Sequence, residues 1–234
     1  MRLSPRIYAL ADTIQRGETA ADIGTDHGYV PMLLVRNGIS PYVIMSDISA
    51  GSLAKARETF RLAGLTAEEE QFRVGDGLTT IRSGEVDAVI IGGLGGYTIR
   101  NILSEDPDHT ASFRKLVLQP RKHSGALREY LWQSGYTIIE EKLTTEGKFI
   151  CEIITAVPDT VSRDRKPLYP TDDIRWAYPE AFADCDPVLL GRRLDWKLGS
   201  IQEETANLKK SRGDQTKRIR KLQDDYDYLL TLKG

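Results

Sequence analysis

Residues 19–31, TAADIGTDHGYVP, contain the pattern that decides the predicted fold. Small and apolar residues lead to Asp22, and the glycine-containing turn 24–28 follows before Pro31. This order is typical of a strand, a tight turn and a helix, the unit that binds nucleotides in open α/β sheets. Asp22 and Asp26 would repel a phosphate, so they indicate a ligand of another kind.

Strand and helix patterns alternate from residue 4 to about 157. Ser4 and Pro5 are typical of an N-cap and a first helical position. Further strands are predicted at 41–47, 71–77, 86–93 and 114–120, and an antiparallel hairpin over 136–157 turns at Glu146-Gly147. We therefore predict a doubly wound α/β sheet with an antiparallel edge.

The end of the chain has a different pattern. Residues 158–185 are predicted as a linker with a short helical segment, after a domain formed by residues 1–157. In residues 186–234 apolar positions recur in steps of four and three, which predicts an antiparallel coiled-coil hairpin with its turn at about 211–215. One unbroken helix is the alternative.

Composition bounds the class of protein. The chain of 234 residues is 40% apolar and 28% charged, with a net charge of −2. These values are typical of soluble globular domains. We find no apolar run of the length that spans a bilayer and no apolar core of a signal peptide near the N-terminus. The two cysteines do not form a disulfide framework. A cytoplasmic protein without a membrane partner is expected.

Four predicted strands end in residues suited to a ligand. Asp22 ends the first strand, and Asp47 ends the second, at the spacing where an acid typically holds a ribose diol. Asp76-Gly77 and the run GGLGG at 92–96 end the third and fourth. Three acids suit the ribose, adenine and ammonium of S-adenosylmethionine. The predicted cofactor-binding residues are Asp22, Gly24, Asp47, Ile48, Asp76, Gly77, Gly92 and Gly93. Alternatively, any single Asp caps a turn, and the glycines only allow positive φ.

The sequence resembles a known family. The segments ADIGTDHGYVP, IIGGLGG and LQP, with the opening LSPRI, are similar to those of the bacterial tRNA (adenine22-N1)-methyltransferases, the TrmK family. The resemblance covers residues 2 to about 157. It implies a Rossmann-like class I methyltransferase sheet with an antiparallel C-terminal hairpin strand and an α-helical coiled-coil tail. Two departures are Asp47, where Glu is common, and the loosely matching segment IRWAYPEAF.

The resemblance implies methylation of N1 of adenine 22 in tRNA. The methyl group is displaced in line, and the base must leave its stack. A carboxylate near the ring would stabilise the charge that the base gains, and Asp26 is the candidate, with His27 as an orienting or proton-accepting group. Tyr29 is a candidate for stacking on the base. Each could instead be structural. His109 and His123 lack ligand-like spacing, so no metal is expected.

Basic residues suggest where RNA would bind. Residues 191–234 contain 11 Lys and Arg against 7 Asp and Glu, with clusters at 209–212 and 217–221 near the predicted turn. Phosphate contacts of such residues supply much of RNA affinity. The predicted substrate-binding residues, besides Tyr29, are Arg121, Lys122, Lys209, Lys210 and Arg218. Solvated helix faces are the alternative explanation.

Three functions remain open on these grounds. The first is a tRNA methyltransferase, expected to be a monomer. The second is a methyltransferase of the same fold that acts on another RNA or a small molecule, although a small substrate needs no basic arm. The third is a non-enzymatic RNA-binding protein with a relict nucleotide fold, which the set of Asp22, Asp47 and Asp76 disfavours. An NAD-dependent dehydrogenase is disfavoured by Asp26.

Overall fold

The computed structural model describes residues 3–159 and 165–233. Its strands are β1 (Ala20–Ile23), β2 (Val43–Asp47), β3 (Phe72–Val74), β4 (Ala88–Leu94), β5 (Lys115–Pro120), β6 (Tyr136–Glu146) and β7 (Phe149–Pro158). Its α-helices are α1 (Pro5–Ala11), α2 (Tyr29–Arg36), α3 (Ala50–Leu62), α4 (Gly96–Glu105), α5 (Pro107–Ala111), α6 (Ser124–Gln133), α7 (Ile174–Ala177), α8 (Pro187–Lys210) and α9 (Thr216–Lys233). Two 3-10 helices cover Glu69–Gln71 and Glu180–Asp184.

The strands form one seven-stranded sheet in the order β3-β2-β1-β4-β5-β7-β6. The five strands β3, β2, β1, β4 and β5 are parallel, and the hairpin β6–β7 joins antiparallel to β5. The predicted α/β class with an antiparallel C-terminal hairpin is confirmed. The chain order changes direction beside β1 and β4, so the carboxyl ends of these two strands border the crevice where such sheets bind ligands.

Helices cover both faces of the sheet. Alternation along β4 explains this, since Val89 and Ile91 face one layer while Ile90 faces the other. One layer contains α1, α2 and α3, with Leu10, Leu33 and Leu53 buried. The other contains α4 and α6. Helix α1 is thus held firmly near the crevice.

The tail folds back on itself. Helices α8 and α9 are separated by residues 211–215, as predicted, and the unbroken helix is wrong. They run antiparallel, since Gln202 hydrogen-bonds Tyr226 at 3.0 Å while Arg218 bonds Glu204 at 2.6 Å. Their apolar seam is buried with Leu143 of β6, and its members are Leu190, Leu194, Leu198, Ile201, Leu222 and Leu229. Coiled-coil packing in the strict sense stays a prediction.

Part of the segment predicted as a linker is packed. Trp176, Tyr178 and Phe182 are buried, the last two in the same apolar cluster as α8 and α9. Residues 160–164 of that predicted linker lie outside the described residues, as do residues 1–2 and 234 of the predicted domains. In the described ranges, no helix combines the length and apolar character needed to cross a bilayer.

A buried ion network joins the tail to the sheet. The Arg128 guanidinium of α6 donates to Glu141 at 2.7 Å and to Glu152 of β7 at 2.6 Å. It also donates to the Trp176 carbonyl at 3.2 Å. Arg193 of α8 forms a second ion pair with Glu152. Since both acids and Arg128 are almost fully buried, this network fixes α8 against the hairpin.

Candidate active site

The turn after β1 has an unusual backbone. Gly24 and Gly28 have φ of +71° and +65°, and Asp26 has φ of +47°, which is rare for a residue with a side chain. A Cβ atom on Gly28 would lie 2.9 Å from Cβ of Ala56, so α3 packs directly against this turn. A non-glycine residue held in this conformation is a feature that clusters at functional sites.

Asp22 is a buried carboxylate at the end of β1. It accepts a hydrogen bond from the Thr25 hydroxyl at 2.7 Å, and the described residues give it no ion pair. Burial raises the pKa of Asp22 to about 7, and the Thr25 hydrogen bond and the Arg6 charge offset only part of that effect. A cationic ligand group in the crevice would favour the charged form.

Asp47 is oriented by the backbone. Its carboxylate accepts from the Ser49 amide at 2.9 Å and from the Asp26 amide at 3.1 Å. These bonds use one lone pair on each oxygen, so acceptor capacity remains for a diol. The neighbouring residue Ile48 is 71% exposed, although it is apolar. An oriented acid beside an exposed apolar side chain suits a nucleoside.

Asp76 and Gly77 lie at the end of the neighbouring strand. Asp76 is exposed, and its carbonyl accepts from the Thr79 amide at 3.1 Å. Gly77 has φ of +50°, and a Cβ there would lie 3.2 Å from Ile102. The positive φ and the close packing against Ile102 therefore explain in part why residue 77 is a glycine, without requiring any role in ligand binding.

The run GGLGG bends the chain at the end of β4. Gly93 has φ of +82°, and its amide donates to Oε1 of Gln119 at 3.0 Å. A Cβ on Gly96 would lie 2.2 Å from the His123 carbonyl oxygen, so only glycine allows this close approach. Gly92 faces Leu10 of α1, with 3.3 Å from its built Cβ to Leu10 Cδ1. Leu94 is therefore the one residue of the run that brings a side chain to the crevice, and the glycines present backbone there.

Asp26, His27 and Tyr29 form one small group. Asp26 Oδ1 accepts from Lys55 Nζ at 2.9 Å, and its side chain is 55% exposed. His27 Nε2 lies 3.6 Å from Asp26 Oδ2. The rings of His27 and Tyr29 stack with centroids 5.1 Å apart and planes at 7°. Lys55 is thus a partner that the sequence did not indicate.

A cavity of about 540 Å³ lies at this edge of the sheet, within the usual size range of small-molecule sites. The predicted site residues that line it are Asp22, Gly24, Asp26, His27, Tyr29, Gly92, Gly93 and Arg121. Those outside its lining are Asp47, Ile48, Asp76, Gly77, Lys122, Lys209, Lys210 and Arg218. Asp47 is still adjacent through the Asp26 amide, and the three tail residues are exposed near the turn between α8 and α9.

Two walls of the cavity were not predicted from the sequence. Helix α1 and the residues before it contribute Leu3, Arg6, Ile7 and Leu10, and the hairpin contributes Glu146. Nε of Arg6 donates to Glu146 at 2.8 Å, and its Nη1 donates to Gln119 at 3.2 Å. The apolar face of α1 was visible in the sequence, but nothing local indicated that it lines a cavity.

The donor set fits S-adenosylmethionine better than a metal ion. The described residues contain no cluster of three or more His, Cys, Asp or Glu side chains placed to bind a metal. Instead, Asp22 is buried with no ion pair in those residues, and Asp47 is pre-oriented beside exposed Ile48. A cationic nucleoside matches both features, since carboxylates pair with a cation and accept from hydroxyl groups.

Comparison with known proteins agrees with this geometry. A family described as a methyltransferase domain matches residues 3–154. The Bacillus subtilis tRNA (adenine(22)-N(1))-methyltransferase is 35% identical over 156 residues, which are 67% of this chain and 65% of that protein. A putative tRNA methyltransferase of Mycoplasma pneumoniae is 30% identical over 89% of this chain and 93% of its own.

The helical tail is included in a structural match. The crystal structure of the B. subtilis TrmK enzyme superposes with a TM-score of 0.80 at 27% identity, and the alignment covers 100% of this chain and 99% of that one. The sheet and the helical tail are therefore both part of the likeness. The resemblance predicted from the motifs is confirmed, and this chain belongs to the family of the bacterial tRNA (adenine22-N1)-methyltransferases.

Proposed function

We propose that this protein transfers a methyl group from S-adenosylmethionine to N1 of adenine 22 in tRNA. The observation that carries the proposal is the buried Asp22 carboxylate, without an ion pair in the described residues, at the crevice of a sheet from this family. Such a carboxylate favours a cationic ligand over a phosphate. The reaction of the B. subtilis relative supplies the substrate in this proposal.

The cofactor would be held by residues at four strand ends. Asp47 would accept hydrogen bonds from the ribose hydroxyls, and Ile48 would pack on the adenine ring. Asp76 and Gly77 would contact the adenine edge, and Gly24 would allow the tight turn of the backbone at the site. Asp22 would pair with the ammonium group, and Gly92 and Gly93 would leave room for the reacting groups. Asp22 lies 7% exposed, so this pairing is shielded from water.

The chain contributes mainly alignment to the reaction. When bound, S-adenosylmethionine would supply a methyl group from its cationic sulfur, and adenine N1 would bond to that carbon as the carbon–sulfur bond breaks and the positive charge passes to the base. The protein must hold the base edge in line with that bond, because a fixed alignment lowers the entropic cost of reaching the transition state. The base must also be unpaired or flipped out.

We propose Asp26 and His27 as the groups nearest to the developing charge. The Lys55 ion pair holds the Asp26 carboxylate, so its catalytic contribution would be electrostatic at most. His27 could orient the base or accept a proton. Tyr29 stacks on His27 and lines the cavity, and it would stack on the target base. Substituting Lys55 and Asp26 separately would distinguish charge stabilisation from a role in holding the turn.

RNA contacts would come from two basic groups. Arg121 and Lys122 follow β5 at the cavity edge, and the Arg121 guanidinium lies about 3.8 Å from a Cβ built on Gly93. Lys209, Lys210 and Arg218 lie at the exposed end of the α8–α9 hairpin. Together they would bind the tRNA backbone on both sides of the target base. Lys209→Gln with Lys210→Gln should weaken tRNA binding about fivefold and flatten its salt dependence.

A matched control exists at the other end of the hairpin, where Lys233 pairs with Asp195 at 2.5 Å. Lys233→Gln should leave tRNA affinity unchanged. Deleting 186–234 would be a poorer test, because α8 buries Leu143 and pairs with Glu152. The deletion would expose the core as well as remove charge.

We also propose that the protein acts as a monomer in the cytoplasm. The apolar seam of α8 is covered by α9 of the same chain, so no second chain is needed to bury it. Size-exclusion chromatography with light scattering measures this directly. A stable dimer at micromolar concentration would contradict it.

The first experiment is methyl transfer from labelled S-adenosylmethionine to an unmodified tRNA transcript, followed by nucleoside analysis. N1-methyladenosine that is lost when adenine 22 is replaced is the expected result. If the protein binds S-adenosylmethionine but makes no product, the substrate is another RNA or a small molecule. If it binds tRNA and no cofactor, the protein is a non-enzymatic RNA-binding protein.

A further inference from the structure

Among the described residues, three carboxylates line the cavity: Asp22, Asp26 and Glu146. Asp22 lies at the end of the central strand, where the cofactor is proposed to bind. Asp26 is paired with Lys55, and its side chain is 55% exposed. Glu146 lines the cavity from the end of β6, where the hairpin turns. The proposed cofactor residues therefore leave Glu146 unassigned.

In the part of the chain that the structure describes, Arg6 is the cation that pairs with Glu146. Its Oε1 accepts from Arg6 Nε at 2.8 Å, and the guanidinium is mostly buried, with 14% of the Arg6 side chain exposed. In the described ranges this bond is made by Oε1, which leaves Oε2 for a ligand in the cavity. Arg6 also donates to Gln119, the acceptor of the Gly93 amide. The position of Glu146 is thus tied to the end of β4.

The space beside Glu146 suits a flat base. Leu3, Ile7 and Leu10 form an apolar wall on the α1 side, and Gly92–Leu94 form a wall with little side chain. Stacking between apolar side chains with polar contacts at the base edge is how flipped bases are commonly bound. Glu146 is the acidic group on the hairpin side of this space.

We infer that Glu146 recognises the 6-amino group of the target adenine. This inference rests on the proposed function. The amino group lies next to N1, it donates hydrogen bonds, and a carboxylate is an acceptor only. Guanine has an oxygen at this position, which a carboxylate repels. When N1 gains the methyl group, the positive charge spreads to the amino nitrogen, so the bond to Glu146 strengthens as the reaction proceeds.

The test is a cycle of two enzymes and two tRNAs. The enzymes are the full-length wild type and Glu146→Ala, and the transcripts carry either adenine or unsubstituted purine, which lacks the amino group, at position 22. Affinity is measured by fluorescence anisotropy with S-adenosylhomocysteine present, so turnover is not required. The wild type should bind the adenine transcript about tenfold more tightly, as for a hydrogen bond to a charged group, and the variant should bind both equally.

Catalysis provides a second measurement. Glu146→Gln retains an acceptor oxygen and loses the charge, so its kcat/KM on the adenine transcript should lie between those of wild type and Glu146→Ala. The control is Glu140→Gln on the same strand, where Glu140 pairs with Lys142 at 3.0 Å and does not line the cavity. Its affinity and kcat/KM should match the wild type. Binding of S-adenosylmethionine, measured by calorimetry, should be equal in all four proteins.

The outcomes separate this inference from the proposed function. If the wild type methylates adenine 22 but Glu146→Ala loses affinity equally for both transcripts, Glu146 has only a structural role and the inference is wrong. If the variant loses S-adenosylmethionine binding, Glu146 belongs to the cofactor site and the inference is again wrong. If the wild type does not methylate adenine 22, the proposed function fails and the inference fails with it.

Discussion

Asp22 and Glu152 are both buried carboxylates, yet their environments differ in one respect. Glu152 has two arginines, Arg128 and Arg193, and their charges hold its pKa below the usual range despite burial. Asp22 has the hydroxyl of Thr25, and its pKa rises to about 7. Burial alone would raise the pKa of both acids, so the neighbouring cations decide the difference.

This difference in neighbouring charge distinguishes a structural ion network, formed by Arg128, Arg193, Glu141 and Glu152, from a candidate binding site at Asp22. A buried carboxylate whose negative charge is balanced by arginines stabilises the native state, and it gains little additional interaction energy from a cationic ligand. A buried acid with too little positive charge nearby destabilises the unliganded protein and gains when a cation arrives. The two acids therefore predict opposite responses to substitution.

The largest expected effect is a loss of stability when the buried ion network is broken. Arg128→Met removes the cation shared by Glu141 and Glu152 and leaves buried negative charge behind. The free energy of unfolding should fall by about 3–5 kcal/mol. Urea unfolding followed by circular dichroism measures it. Arg218→Met, which breaks the exposed pair with Glu204, is the control and should change the midpoint little. An equal loss of unfolding free energy in the two variants would mean that the buried network stabilises the fold no more than an exposed ion pair does.

Asp22→Asn should act on the ligand and not on the fold. The affinity for S-adenosylmethionine should fall by about 1.5–3 kcal/mol, since the asparagine keeps an acceptor oxygen but loses the negative charge that pairs with the ammonium group. The unliganded protein should be as stable as the wild type or more stable, because a poorly compensated buried acid is removed. Calorimetry and thermal unfolding give the two values. Destabilisation together with unchanged affinity would mean that Asp22 is structural. Asp227→Asn, on the exposed side of α9, is the matched control.

Arg193→Met tests how many cations Glu152 requires. Arg128 still pairs with Glu152 in this variant, so the loss should be about 1–2 kcal/mol, smaller than for Arg128→Met. The Arg193 guanidinium also lies 4.9 Å from the Tyr178 ring centroid and 5.6 Å from that of Phe182. Part of the loss would come from these cation–π contacts. The same urea experiment measures the loss. A loss equal to that of Arg128→Met would show that the network acts only as a whole.

The smallest expected effect is on pH dependence. The folded pKa of Asp22, about 7, lies above the unfolded value of 3.8, so the native state holds the proton longer. Stability without ligand should therefore fall as pH rises from about 3.8 to about 7, and the part of this fall between pH 6 and 7 should be about 1 kcal/mol. Glu152 contributes no slope there, because its lowered pKa places its loss of stability at acidic pH.

Asp22→Asn serves as the control for this slope. Its free energy of unfolding, measured at the same pH values, should lack the wild-type decrease between pH 6 and 7. If the free energy of unfolding had the same pH dependence in wild type and Asp22→Asn, Asp22 would not be the titrating group. Its charge would then be balanced by neighbouring cations, as that of Glu152 is.

Local patterns in the sequence predicted much of the fold. The alternation of elements, the hairpin at Glu146-Gly147 and the turn at residues 211–215 all depend on neighbouring residues, and the structure has all three. The sequence also predicted that Asp22, Asp47 and Asp76 lie at one edge of the sheet, because parallel strands place their carboxyl ends at the same edge.

The sequence by itself therefore determined the class of fold, the family and the edge of the sheet where the ligand residues lie. The tertiary structure alone decided that Arg6 meets Glu146 across 140 positions, that Lys55 pairs with Asp26, and that Glu152 receives two arginines. No local periodicity couples residues so far apart. Their meeting depends on how α1, the hairpin and α8 pack, and that packing decides which buried charge is balanced and which is left for a ligand.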